Sequence, residues 1–166
     1  MMKNIAPGLG RSFISEKYSL FPASAWKEAR AEARDNIKRE SCFEALGSDI
    51  EENCVRIANE SARRSGVSVA VSFRVQNALE ITKEDRRGTI VTNPPYGERL
   101  LTEDEVTALY RKMGEHFKTL EPWQFYILTP SESFPRLFGR RADKIRKLYN
   151  GMIPCFLYQF FKNGKK

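Results

Sequence analysis

One histidine, three cysteines and no long apolar run are the scarcities that bound this 166-residue chain. Metal-dependent catalysis has little to work with, because the lone imidazole, His116, falls inside a helix-like pattern and is expected on that helix's surface. Cys42, Cys54 and Cys155 are widely spaced and odd in number. That argues against a disulfide framework or a zinc site, and for reduced thiols in a cytoplasm. No stretch approaches the roughly 20 apolar residues of a membrane span, and the N-terminus lacks a signal-peptide pattern, so a cytoplasmic protein away from membranes is expected. Acid is in deficit: 28 Lys and Arg stand against 21 Asp and Glu, a formal charge of +7. An excess of base favours a polyanionic partner, although many lysine-coated proteins reach this value without touching nucleic acid.

What is present supports one core. With 41% hydrophobic residues, residues 1–166 suffice for a single domain and are too few for two. Helix and strand patterns alternate as in an α/β sheet. From Ser24, Trp26, Ala29, Ala33 and Ile37 recur at helical spacing while Lys27, Arg30, Arg34 and Lys38 fill the other side, a solvated or an RNA-facing surface. Cys42 to Ile50 reads as a strand ending at Asp49, followed by a helix over 51–64 whose acidic first turn suits the helix dipole. Val71 to Val75 and Thr89 to Thr92 read as further strands. Gly8-Leu9-Gly10 precedes no apolar strand and reads as a loop turn.

Thr102 and Glu105 form a capping box ahead of a helix whose Val106, Leu109, Tyr110, Met113 and Phe117 share the core face. Trp123 to Leu128 is the next strand, and a short helix over 131–138 closes at Gly139. Two strand-like runs, Lys144 to Tyr149 and Cys155 to Phe161, flank Asn150-Gly151-Met152-Ile153-Pro154, in which Asn-Gly marks a tight turn with positive φ. The basic cluster Arg140, Arg141, Lys144, Arg146 and Lys147 is either an RNA-backbone contact or a solvated edge that discourages strand aggregation. Lys162 to Lys166 reads as a frayed tail.

The most informative segment is Asn93-Pro94-Pro95-Tyr96, directly after the apolar run Thr89-Ile90-Val91-Thr92. An exocyclic amine on a nucleobase is a poor nucleophile, because its lone pair is spread into the ring. An Asn carbonyl and a neighbouring backbone carbonyl can accept its two hydrogens and favour a pyramidal nitrogen. Two prolines fix φ near −65° and remove donors, leaving a stiff loop whose carbonyls are free to accept. Tyr96 offers a face on which an unstacked base can lie, a contact worth roughly 1–3 kcal/mol. A strand-ending turn with an aromatic anchor is the plainer account of the same residues.

The longer string Thr92-Asn93-Pro94-Pro95-Tyr96-Gly97-Glu98-Arg99-Leu100 resembles the motif of the bacterial 23S ribosomal-RNA guanine-N2 methyltransferases, a family often labelled N6-adenine-specific DNA methylases. Asn4-Ile5-Ala6-Pro7-Gly8, Gly47-Ser48-Asp49-Ile50 and Arg146-Lys147-Leu148-Tyr149-Asn150-Gly151-Met152 resemble other family segments in the family's order. The resemblance implies an incomplete Rossmann-like, S-adenosylmethionine-dependent methyltransferase domain, with a mostly parallel sheet and an antiparallel C-terminal hairpin. Family members carry a first strand and a glycine-rich cofactor loop upstream of the segment at Asn4. Residues 1–166 are therefore expected to be the C-terminal part of the catalytic domain, lacking that strand, inactive alone, and poorly stable, oligomeric or reliant on a partner.

Residue by residue, the resemblance implies that Asn93, Pro94, Pro95 and Tyr96 are catalytic, and that Asp49, Ile50, Asn77 and Asn93 hold the cofactor. Asp49 would accept from the ribose diol, as an acid after the second strand of Rossmann-like sheets does; a helix-capping role is the alternative. Asn77 stands where the family usually has an acid near the cofactor's adenine, and is otherwise a turn residue. Glu98 and Arg99 are assigned to bracing the loop or contacting RNA. The implied partner is 23S ribosomal RNA or its precursor particle. An N6-adenine DNA methyltransferase, sharing the Asn-Pro-Pro-Tyr chemistry, and a non-catalytic RNA-binding remnant are the alternatives.

Overall fold

The structure, a computed structural model, describes residues 2–40, 42–83, 87–96 and 101–161. Gly97 to Leu100 and Lys162 to Lys166 lie outside the described residues, and with them the readings of Glu98, Arg99 and the tail. The chain divides into two compact units, Met1–Ala78 and Leu79–Lys166.

In the first unit, α1 (Ala23–Asp35) is followed by β1 (Ala45–Asp49), α2 (Glu52–Arg64) and β2 (Val71–Val75). β1 and β2 run parallel, in register from Ala45 opposite Val71 to Asp49 opposite Val75. A parallel pair needs a crossover, and α2 supplies it, burying Val55 and Ala62. Trp26 and Ala33 of α1 are half-buried, as is Ile37 beyond its C-terminal end, but Ala29 is exposed. Trp26 stacks on Phe13, and Arg30 lies over its ring while pairing with Glu16. One cation assigned to the outer face of this helix is thus engaged within the unit.

In the second unit, β3 (Thr89–Thr92), α3 (Glu103–Thr119), β4 (Gln124–Thr129), α4 (Phe134–Leu137), β5 (Lys144–Asn150) and β6 (Ile153–Phe160) build one sheet in the order β3-β4-β6-β5. β3 and β4 are parallel; β4–β6 and β5–β6 are antiparallel. Parallel pairing thus holds everywhere except at the C-terminal hairpin. Among the described residues, β1 pairs only with β2 and β3 only with β4. Each therefore keeps a free edge.

The core lies between α3 and the sheet. Alternation along β4 turns Phe125, Ile127 and Thr129 to the buried side. There they meet Tyr110, Met113 and Phe117 of α3, with Phe134, Phe138, Tyr158 and Phe160 beside them. Phe117 and Phe125 pack with ring centroids 5.0 Å apart, and Phe134 stacks on Tyr158 at 5.4 Å. Full burial of one such side chain contributes about 1.5–3 kcal/mol. The helix starts where the capping box places it: the Thr102 N–H donates to Glu105 Oε2 at 2.8 Å, and Thr102 Oγ1 accepts from the Glu105 N–H at 3.4 Å. Gly114 lets α3 approach the Phe138 carbonyl, where a Cβ would come within 2.0 Å of the oxygen.

Three expectations are corrected. His116 is half-buried rather than on the surface, and its Nε2 is shielded with no hydrogen-bond partner among the described residues; helical periodicity misses it because the residue sits beside the core stripe. The hairpin turn is Gly151-Met152, since Asn150 still pairs with Ile153, and only Gly151 has positive φ, at 62°. Glycine at the first central position is the type II′ pattern. Arg140 is neither a free RNA contact nor a solvated charge: it donates to the Phe161 carbonyl at 2.7 Å and faces Glu121 and Asp143.

Candidate functional site

Asn93 to Tyr96 leave the carboxyl end of β3, beside the parallel strand β4. Open α/β sheets hold ligands at this end because successive strands there turn away toward their crossovers and leave a crevice. Asn93 is exposed, Pro94 buried, and Pro95 and Tyr96 half-buried. The corner is thus anchored on its proline side and open on its asparagine side. Among the described residues, neither the Asn93 side chain nor the Pro94 carbonyl has a hydrogen-bond partner.

A polar relay fixes the loop from below. The Tyr110 hydroxyl lies 3.3 Å from the Pro95 carbonyl and 2.8 Å from Thr129 Oγ1. The carbonyl can only accept, so the phenol's one hydrogen goes to Pro95 and the Thr129 hydroxyl donates to Tyr110. Thr129 Oγ1 in turn accepts from the Ser131 N–H at 3.3 Å. Every hydrogen is spoken for, as a polar group in a core requires. Burial pushes the Tyr110 phenol above its ordinary range, so it stays a donor. Tyr158, also pushed up mainly by burial, donates to the Ser131 carbonyl at 2.9 Å.

A second tie reaches the aromatic residue. Asn150 Nδ2 donates to Tyr96 Oη at 3.1 Å. The amide is the donor, so the Tyr96 hydroxyl keeps its own hydrogen for another acceptor. Sequence reasoning missed both ties: Tyr110 reads only as core, and Asn150 only as a turn residue. The available signals were a tyrosine rather than a phenylalanine on a core stripe, and a threonine at the buried end of β4.

The first unit gathers a different set. Asp49 closes β1, and the ladder continues past it with the Gln76 N–H donating to the Asp49 carbonyl at 2.9 Å. Asn77 follows at the same end of β2. Asp49 Oδ1 accepts from the Glu51 N–H at 2.9 Å, a turn that leads into α2. The carboxylate is exposed and has a second oxygen; Ile50 next to it is 67% exposed. The capping role and a ligand role for Asp49 are therefore compatible. The structure brings Asp49, Ile50 and Asn77 to one edge of β1–β2, and Asn93 to Tyr96 to one edge of β3–β4.

Parallel strand pairs with polar residues gathered at their carboxyl ends, and a terminal antiparallel hairpin, define a Rossmann-like α/β fold. The chain belongs to the RMKL-like methyltransferase domain family, whose model matches residues 1–159. It is 37% identical over 159 residues to YpsC of Bacillus subtilis (strain 168), covering 96% of this chain and 41% of YpsC. It is 36% identical over 160 residues to the ribosomal RNA large subunit methyltransferase K/L of Legionella pneumophila (strain Lens), covering 95% and 22%. Among solved structures, SMU.472 complexed with SAH superimposes with a TM-score of 0.89 at 36% identity, covering 99% of this chain and 44% of that one. The chain thus spans less than half the length of these relatives. Among the described residues no helix is long and apolar enough to cross a membrane.

Proposed function

We propose that the chain carries the base-binding and part of the cofactor-binding machinery of an S-adenosylmethionine-dependent RNA methyltransferase, directed at guanine N2 in 23S ribosomal RNA. The observation that carries the reading is a pair of acceptors without a partner among the described residues, Asn93 Oδ1 and the Pro94 carbonyl, on a corner held by Tyr110 and Asn150. They suit the two hydrogens of an exocyclic amine. The kinship with a ribosomal RNA methyltransferase supports ribosomal RNA as the substrate, and the formal charge of +7 suits a polyanion.

The residues present fit the cofactor. Asp49 has a carboxylate oxygen beyond the one used by Glu51, suited to a ribose diol, and the exposed Ile50 offers apolar surface to an adenine ring. Asn77, at the end of the neighbouring strand, would accept from the adenine amine through its side-chain oxygen. S-adenosylmethionine supplies a methyl group already activated by a sulfonium.

The chain's own task is then positioning. A guanine extruded from its stack, at a cost of a few kcal/mol, lies on Tyr96. Asn93 and Pro94 take its amine hydrogens and aim the lone pair out of the ring plane. Pro95 keeps the corner stiff, and its carbonyl is committed to Tyr110. Orientation of this kind accounts for up to about 7–11 kcal/mol of a barrier.

The test joins the chain to the upstream glycine-rich segment of a relative and follows labelled methyl transfer to unmodified ribosomal RNA. N2-methylguanosine in the digest supports the reading. N6-methyladenine in duplex DNA instead would mean a DNA enzyme, and cofactor binding with no transfer to any nucleic acid a silent remnant.

A further inference from the structure

The tip of the β5–β6 hairpin stands next to the proposed base site yet has no part in the mechanism above. All seven residues of β5 are exposed. At the tip, Tyr149 is 67% and Met152 95% exposed, a large investment of aromatic and apolar surface in a water-facing turn. Lys147 lies over the Tyr149 ring, 5.8 Å from its centroid, so one face of the phenol is backed by a cation. Arg141, Lys144 and Arg146 are exposed too, and no carboxylate among the described residues pairs with them. The hairpin is tied to the catalytic corner by Asn150, which donates to Tyr96 from the face of β5 that also carries Lys144 and Arg146, opposite to Tyr149.

We propose that this hairpin is the seat for single-stranded RNA flanking the target nucleotide, with a neighbouring base stacked on Tyr149 beside Lys147, and with Lys144 and Arg146, on the opposite face of the edge strand β5, holding phosphates where the RNA wraps that edge. Alternating cations with an exposed ring suits a strand whose charges lie outside and whose bases are splayed; duplex DNA hides its bases and offers nothing for the ring. The Asn150–Tyr96 tie fixes the hairpin to the loop that presents the target base. The inference rests on the RNA reading above and adds the binding surface which that reading lacks.

Fluorescence anisotropy with a labelled, mixed-sequence single-stranded RNA of roughly 12 nucleotides tests it on the chain as it stands. Tyr149→Ala is expected to weaken binding about tenfold, while Tyr149→Phe, which keeps the ring, retains it. Replacing Lys144, Arg146 and Lys147 together by Gln is expected to flatten the slope of log affinity against log salt by about two, at about 0.7 per phosphate contact. Unchanged affinity in Tyr149→Ala, tighter binding of duplex DNA than of the single strand, or no RNA binding by the wild-type chain each overturns the proposal. The readout is binding alone, so it is separable from the methylation reading: an Asn93→Ala protein that still methylated RNA would sink that reading and leave the hairpin result standing.

Discussion

Tyr110 Oη donates to the Pro95 carbonyl across 3.3 Å, so a side chain from the middle of α3 holds the diproline corner by its second proline. Pro95 is thereby removed from the set of free acceptors and Pro94 is left in it. Rigidity and availability are divided between adjacent carbonyls.

Tyr110→Phe keeps the ring against Phe134 and removes the hydrogen bonds to Pro95 and Thr129. The expected loss in urea unfolding is about 1–3 kcal/mol, the cost of leaving buried polar atoms unpaired. Methyl transfer in the joined enzyme is expected to fall while cofactor affinity holds, since the residue's tie to the corner is to Pro95. The phenol's raised pKa adds a pH signature. The neutral form is the one favoured by folding, so its contribution is full below the ordinary value near 10 and is lost as pH rises toward the folded value. The variant should lack that part of the alkaline destabilisation.

Glu105 works in the opposite direction. Hydrogen bonds from the Thr102 N–H, then from its hydroxyl, hold the carboxyl below its ordinary 4.5. Its contribution to α3 is present above about pH 4.5 and is lost as pH falls through the lower folded value. Melting temperatures recorded across that window should fall less steeply in Glu105→Gln, whose amide oxygen still accepts but does not titrate.

Asp49→Asn separates the two roles of that residue. The amide oxygen can keep the bond from Glu51 N–H, so the unfolding midpoint should stay within about 0.5 kcal/mol of wild type. Exchanging the carboxylate that receives the ribose hydroxyls should weaken S-adenosylmethionine binding about tenfold or more in calorimetry on the joined enzyme. Unchanged affinity would leave Asp49 as a turn residue only.

Gly114→Ala probes the frame behind the corner. A methyl group 2.0 Å from the Phe138 oxygen forces α3 and α4 apart, and a loss of about 1–3 kcal/mol in thermal or urea unfolding is expected.

Much of this frame was legible from residue order. β2 and β3 fall at Val71–Val75 and Thr89–Thr92, where the apolar runs place them, and the capping box opens α3 one residue after Thr102. Local rules suffice there because the backbone and its nearest side chains settle the outcome. The ties that build the corner were not legible, because Tyr110 reaches Pro95 fifteen residues back and Asn150 reaches Tyr96 across fifty-four. Periodicity reports which face a residue takes, not which polar atom it meets on arrival. The hairpin shows the same limit: Asn-Gly predicts a turn, yet strand pairing carries on through Asn150 and leaves its amide for Tyr96. Arg140 likewise reads as surface charge until the Phe161 carbonyl and Asp143 are brought beside it.

The central claim is that Asn93 and Pro94 present acceptors to a purine amine. The direct measurement is nucleoside mass spectrometry of ribosomal RNA incubated with S-adenosylmethionine and the joined enzyme, wild type beside Asn93→Ala. N2-methylguanosine formed by the wild type and reduced at least about a hundredfold in the variant, as for loss of one oriented transition-state hydrogen bond, is the predicted result. Equal methylation by both proteins would contradict it.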